Sequence, residues 1–255
     1  MDPKTAFSSK AANYDKYRWD YPPAAIEAIV EITQLSASSS LADLGAGTGM
    51  LTKHFVDKVK RVYAIEPNVE MRQIMAGSLG NIRSISVMDG CAEKTKLPDK
   101  SVDIITVAQA IHWFDPQASR KEMLRILKNN GWLAVLKNCR TDKELTMQTE
   151  SLMTEAYGAD FSATRKRPKE KPLQFYFGSD HFQKMTFPFQ FQQDWEGYMG
   201  AIQSASFMPD ESHPRFKKLE EEARKVFFKF SRCEILTVRG ETELFIGQPI
   251  QGEIK

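Results

Sequence analysis

Along the first 140 residues the spacing of apolar positions changes several times. Ala24 to Ile32 (AAIEAIVEI) has helical spacing, Leu41 to Leu44 is a short apolar run that reads as a strand, and Met50 to Val56 returns to helical spacing. RVYAI (Arg61 to Ile65) predicts a second strand and Val69 to Met75 a helix. Three more strands come in RSISVM, VDIITVAQA and WLAVLKN, with a helix over PQASRKEMLRIL between the last two and Gly131 as its expected C-cap. Strands alternating with helices are the signature of a parallel sheet covered on both faces. Past residue 140 the texture shifts, and 12 of the 16 phenylalanines fall between Phe161 and Phe230. That region holds helical patterns and one alternating strand, KMTFPFQFQ, and is expected to form a cap over the sheet edge. EILTVRGETELFIGQ reads as one long strand or a hairpin that completes the sheet, and no repeat occurs.

The turn that leaves the first strand carries the chemistry. In LADLGAGTGMLTKHF glycines stand at 45, 47 and 49, where they permit positive φ and remove Cβ atoms that would keep a ligand off the backbone. In an open α/β sheet the ligand sits beyond the carboxyl ends of the strands, where strand order reverses, and the first strand-to-helix turn approaches it most closely. Glu66, at the end of the second strand, lies 21 positions after Gly45, the spacing at which a carboxylate accepts both hydroxyls of a ribose. Met50 occupies the place of the third glycine in a dinucleotide fingerprint, which weakens a pyrophosphate reading. Asp43, two residues before Gly45, would attract a cation and repel a phosphate, so a nucleoside bearing an ammonium and a sulfonium suits the turn.

Composition narrows the classes of function. The 255 residues, 42% hydrophobic, suffice for one α/β domain with an elaboration. Lys plus Arg number 35 against 33 acidic residues, so the net charge of +2 gives no general pull towards nucleic acid or an anionic membrane. Cys91, Cys139 and Cys233 are odd in number and far apart, which disfavours a disulfide framework and a structural zinc and fits a reducing cytoplasm. The first residues lack the apolar core of a signal peptide, and no stretch approaches the ~20 apolar residues of a membrane span. A soluble, cytoplasmic monomer or homodimer is expected.

These motifs resemble the class I S-adenosylmethionine-dependent methyltransferases. LADLGAGTG is similar to that family's first motif, AIEP to its second, and GCAEKTKLPDKSVDIITVAQAIHWFD to its third and fourth; the likeness is good over residues 40 to 138. VAQAIHWF resembles a subgroup that includes the trans-aconitate-type carboxyl methyltransferases, and YDKYRWDYP and IQSASFMP resemble it more loosely. The resemblance implies an α/β, Rossmann-like, doubly wound sheet of seven strands, mostly parallel with an antiparallel edge strand, and a helical cap insertion. Residues 1–255 would form a single methyltransferase domain: a helical lid at 1–35, a cofactor-binding core at 36–140, a cap and substrate region at 141–230 and terminal strand or strands at 231–255. It further implies that Gly45, Ala46 and Gly47, with Gly49 completing the turn, line the methionine moiety of S-adenosylmethionine and that Glu66 holds its ribose. The backbone near Cys91 and Ala92, with the flank of Pro67, would frame the adenine, Gln109 and Ala110 would close the front beside the sulfonium, and Tyr14 and Arg18 would fold over the cofactor. Many relatives carry an acidic residue where Cys91 stands, as acceptor for the adenine amino group; here a backbone carbonyl or Asp89 takes that place.

Each residue also has a structural reading. A glycine cluster after a strand can be no more than a tight turn, and Cys91 reads as a small packing residue. His112, beside the expected position of the methyl group, is either a catalytic base or a histidine packed with Trp113 and Phe114. The basic run Thr164 to Pro172 reads as a solvated loop, and the phenylalanines are mostly core with one face able to supply an apolar acceptor pocket. Transfer of a methyl group from a sulfonium asks mainly for alignment and exclusion of water. A carboxylate acceptor needs a cationic clamp such as Arg18, whereas a phenol or amine needs a base such as His112 or Tyr14. No convincing ligand set for a metal is present. The expected function is methyl transfer from S-adenosylmethionine, with S-adenosylhomocysteine as product, to a carboxylate or hydroxyl oxygen of a small molecule. Alternatives are N-, S- or C-methylation, or cofactor binding without catalysis. A nicotinamide-linked reductase is opposed by Met50 and the absence of a Tyr-x-x-x-Lys pair, and nucleic-acid methylation by the absence of an Asn/Asp-Pro-Pro-Tyr motif.

Overall fold

The computed structural model describes residues 10–157, 171–205, 208 and 212–250. Most of the basic run at 164–172, and Phe161 with it, lies outside the described residues. The strands are β1 (Ser40–Leu44), β2 (Arg61–Ile65), β3 (Ile85–Met88), β4 (Val102–Ala108), β5 (Leu127–Arg140), β6 (Gln183–Gln193) and β7 (Leu236–Gly247). They form one seven-stranded sheet in the order β3-β2-β1-β4-β5-β7-β6, mostly parallel with antiparallel edge strands. β1 pairs in parallel with β2 on one side and β4 on the other, so the order of connection reverses between β1 and β4.

The helices of the first half are α1 (Ala11–Tyr17), α2 (Pro23–Thr33), α3 (Val69–Leu79) and α4 (Pro116–Ile126). Their ends obey local chemistry. Asn68 caps α3 by accepting from the Met71 N–H at 2.9 Å, and Asp115 caps α4 by accepting from the Ala118 N–H at 2.8 Å with Pro116 in the first turn. α2 also has proline in its first turn and ends at Gln34 in the left-handed conformation, φ 53°.

Two compact units make up the chain. The first contains residues 1–19, 139–166 and 188–241; the second contains 20–138, 167–187 and 242–255. In the second unit the inner strands are buried on both faces, and adjacent residues go to different cores. Val62, Ala64, Ile104, Ala134 and Leu136 join Leu41, Phe55 and Met75, while Ile65, Ile105, Leu133 and Val135 join Ala42, Leu44 and Phe177. This explains why the strands read as continuous apolar runs. In the first unit, α5 (Lys143–Tyr157), the helices Trp195–Gln203 and Phe216–Phe230 and the start of β7 share a core around Tyr198, Leu219 and Phe227. There α1 lies so close to helix Trp195–Gln203 that a Cβ on Gly200 would overlap the Tyr17 ring.

Two expected elements differ. Met50 to Val56 is a short 3-10 turn, Thr52–Phe55, because Val56 is extended and Asp57 takes φ 62°, which stops the helix. Gly131 does not cap α4. That helix stops at Ile126, the chain passes directly into β5, and Gly131 lies within the strand, where a Cβ would fall 2.5 Å from Leu127 Cγ. The terminal segment forms one strand, β7. Among the described residues no helix is long and apolar enough to cross a membrane, and all three cysteines are free thiols.

Gly49 illustrates how tightly the turn after β1 is packed. Its φ is +88°, and an added Cβ would stand 2.7 Å from Leu79 Cδ1 and 2.9 Å from Met75 Cγ on α3. Gly49→Ala is expected to combine overpacking with left-handed strain and lower Tm by roughly 5–10 °C, measured by thermal unfolding.

Candidate functional site

The glycine turn leaves β1 beside the point where strand order reverses. Gly45 and Ala46 donate their N–H groups to the Ile65 carbonyl at 2.9 and 3.1 Å, which folds the turn back towards the end of β2. Gly45 takes φ +70°, and a Cβ on it would lie 2.6 Å from the Ala110 Cβ just beyond β4. Gly45 thus lets the chain after β1 and the chain after β4 meet. Gly47 is different: its φ is +59°, yet a Cβ would find only Met71 Sδ, at 3.8 Å. Packing requires glycine at 45 and 49, and only backbone conformation requires it at 47.

Two buried carboxylates hold this turn. Asp43, within β1, is 1% exposed and accepts from the hydroxyl of Thr52 at 2.6 Å and from that of Thr106 on β4 at 2.9 Å. Burial pushes its carboxyl up to about 6 even though both hydroxyls favour the ionised form. Glu66, 6% exposed, accepts from the Gly47 N–H at 2.9 Å through Oε2 and from the Asn68 N–H at 2.8 Å through Oε1. Burial raises its carboxyl as well, against the two N–H bonds and the Arg72 charge. The Arg72 guanidinium donates to the Glu66 carbonyl at 2.8 Å and pairs with Asp89 at 3.1 Å, which Lys96 also reaches at 3.1 Å.

The remaining expected residues separate into groups. Pro67 lies between Glu66 and the cap Asn68. Cys91 is half-buried in a tight turn in which its N–H and carbonyl exchange hydrogen bonds with Lys94, at 3.3 and 3.0 Å, and Ala92 is buried beside it. Burial also pushes the Cys91 thiol up, as does the neighbouring Glu93. Asp89 carries two cations, and the Cys91 carbonyl is used within the turn. Gln109, immediately after β4, takes φ 54°, an uncommon conformation for a residue with a side chain. It is fixed by its N–H on the Leu136 carbonyl at 3.0 Å and its side-chain amide on the Asn138 carbonyl at 3.1 Å. His112, half-buried on the short turn Ile111–Trp113, has its ring 5.6 Å from that of Trp113. All of these lie in the second unit. Tyr14 and Arg18 lie in the first, brought together with the Arg18 guanidinium 5.0 Å from the centre of the Tyr14 ring.

Thr52, Thr106, Asn68 and Arg72 were not identified from the sequence. Asn68 carried a usable signal as a capping residue one position before a helix. The two threonines carried none, since Thr106 is 63 positions from the carboxylate it holds. No group of three or more His, Cys, Asp or Glu side chains arranged to hold a metal ion occurs among the described residues.

Comparison with known proteins shows what the chain is similar to. Residues 42–135 match the model of a methyltransferase domain. An uncharacterized methyltransferase of Mycobacterium tuberculosis is 35% identical over 166 residues, 65% of this chain and 64% of that protein. The ubiquinone/menaquinone biosynthesis C-methyltransferase UbiE of Pseudomonas fluorescens is 30% identical over 140 residues, 51% of each. The match therefore spans less than two thirds of the length of these relatives. Among solved structures, the YcgJ protein of Bacillus subtilis aligns with a TM-score of 0.58 at 18% identity, over 90% of this chain and 99% of that one, a likeness of fold.

The buried state of Asp43 has a measurable consequence. A carboxyl whose value rises from 3.8 to about 6 on folding binds its proton more tightly in the folded state. Its contribution to stability is therefore full below pH 3.8 and is lost as pH rises through about 6. Asp43→Asn removes that dependence, so the stability difference between variant and wild type should shift in favour of the variant by about 3 kcal/mol between about pH 3.5 and 7. Urea unfolding across this range checks the shift.

Proposed function

The chain carries a class I methyltransferase domain, and from that premise we propose that it binds S-adenosylmethionine at the glycine turn and methylates an oxygen of a small molecule. The observation that carries the reading is the convergence, at the reversal of strand order, of the turn after β1, the strained Gln109–Ala110 step after β4 and the buried Glu66 carboxylate after β2.

The residues fit the cofactor. Each Glu66 oxygen accepts one backbone N–H and keeps a second lone pair, which the two hydroxyls of a ribose would use. Gly45, Ala46 and Gly47 offer a turn with little side chain to face the methionine portion, and Gln109 with Ala110 would close the front. Asp43, tied to Thr52 and Thr106, would set the shape of that turn and add negative charge beneath an ammonium. Pro67 and the chain at Cys91 and Ala92 would frame the adenine. With Asp89 and the Cys91 carbonyl engaged, the adenine amino group would be left to a backbone acceptor other than Cys91. S-adenosylmethionine, when bound, supplies an electrophilic methyl on a sulfonium and leaves as S-adenosylhomocysteine.

The protein's part is then alignment and exclusion of water. For a carboxylate acceptor, already anionic at neutral pH, no proton need be removed and a cationic clamp suffices. A hydroxyl acceptor would require His112 or Tyr14 as base. Carbon methylation is the second reading, favoured by the C-methyltransferase activity of the Pseudomonas relative.

Two measurements test this. Glu66→Ala should weaken S-adenosylhomocysteine binding roughly 10- to 100-fold by titration calorimetry, and an unchanged affinity would remove the ribose assignment. His112→Ala should leave transfer of a labelled methyl group to a carboxylic acid within a few-fold of wild type; a loss of ~10²-fold or more would make His112 a base and turn the reading to a hydroxyl acceptor.

A further inference from the structure

The first unit contains two guanidinium groups that lack a counter-ion among the described residues. Arg140, at the end of β5, lies with its guanidinium 4.9 Å from the centre of the Trp19 ring. Arg18, one residue before that tryptophan, lies over Tyr14. The Nε atoms of both arginines and the Nε1 of Trp19 are buried and have no hydrogen-bond partner among the described residues. No carboxylate among the described residues comes within ion-pair distance of either arginine, and Glu150 acts on Arg140 from beyond that distance. Glu196 accepts from Lys16 at 2.7 Å and from the Tyr17 hydroxyl at 2.6 Å, Glu144 pairs with Lys229 at 2.9 Å, and Asp194 caps helix Trp195–Gln203.

Burial lowers the Arg140 guanidinium, and the charge of Arg18 lowers it further, while the more distant Glu150 and Tyr198 oppose this only in part. A half-buried pair of like charges whose inner donors lack partners is costly unless a negative group joins it. The surroundings describe the rest of that group. Trp19 packs against Phe189 at 5.8 Å and Phe191 at 5.6 Å, both on β6, so three aromatic rings adjoin the three unpartnered donors.

We propose that Arg18 and Arg140, with the Trp19 indole N–H, form an anion-binding site in the first unit for the carboxylate of a small organic acid with a flat or apolar body. Planar guanidinium forks match two carboxylate oxygens, and the rings accept the body. This deepens the carboxylate reading above and rests on it for the acid's role as methyl acceptor, not for its binding.

The test titrates the purified full chain with cinnamate, hexanoate, phenyl phosphate and inorganic phosphate, with S-adenosylhomocysteine binding measured separately. Cinnamate or hexanoate should bind and raise Tm. Arg140→Gln and Arg18→Gln should each lower that affinity roughly 10- to 100-fold, and Arg140→Gln should leave S-adenosylhomocysteine affinity intact. Because each variant removes an uncompensated charge, Tm without ligand should stay within ~2 °C of wild type or rise. Binding of the phosphates but of neither acid overturns the carboxylate assignment. Acid binding that both variants retain, or no binding of any probe together with a large fall in Tm for both variants, overturns the site and makes the arginines packing residues. Failure of S-adenosylhomocysteine to bind wild type, with acid binding intact, overturns the cofactor reading alone.

Discussion

The glycine turn after β1 exists because two buried carboxylates hold it from different sides. Asp43 anchors it from within the sheet, taking the Thr52 hydroxyl from the turn and the Thr106 hydroxyl from β4. Glu66 anchors it from the end of β2 through the Gly47 N–H. Neither acid has an ion-pair partner in contact with its carboxylate among the described residues; each is satisfied by neutral donors, which stabilise the charge less fully than water does. Both carboxyls are raised in consequence. The turn is thereby fixed to β1, β2 and β4 together, and the chain after β4 can press against Gly45 at Ala110. Remove either acid and a left-handed backbone loses what holds it in place.

Much of this was legible in the sequence because it is local. Strands buried on both faces read as apolar runs, and five of the seven sheet strands were visible in that way before β6 declared itself by alternation. The glycines and Glu66 were legible because a strand-to-helix turn imposes a spacing. What escaped depends on partners distant in the chain. The pattern at Met50 to Val56 matches a helix, yet the backbone there turns out after one 3-10 turn. Gly131 looked like a helix stop because glycine after a basic last turn usually is one, whereas here a strand begins at once and the glycine answers to Leu127. Asp43 was read by its charge alone, since nothing near it in sequence announces that Thr106 will lie across from it.

The same limit hid Arg140. A basic residue ending a strand reads as solvated, whereas this one is half-buried with its guanidinium over Trp19, far earlier in the chain. The two units treat buried charge in opposite ways. The second buries acids and offsets part of their cost with hydroxyl and amide donors from its own residues, so Asp43 and Glu66 can serve the turn as structure. The first half-buries two guanidinium groups whose Nε atoms have no partner among the described residues, while Glu196 and Glu144 pair with Lys16 and Lys229. A fold that leaves a costly charge uncompensated while satisfying more exposed ones is not organised there for stability alone. A half-buried pair of guanidinium groups with unpartnered inner donors is what binding of an anionic ligand in that unit would require.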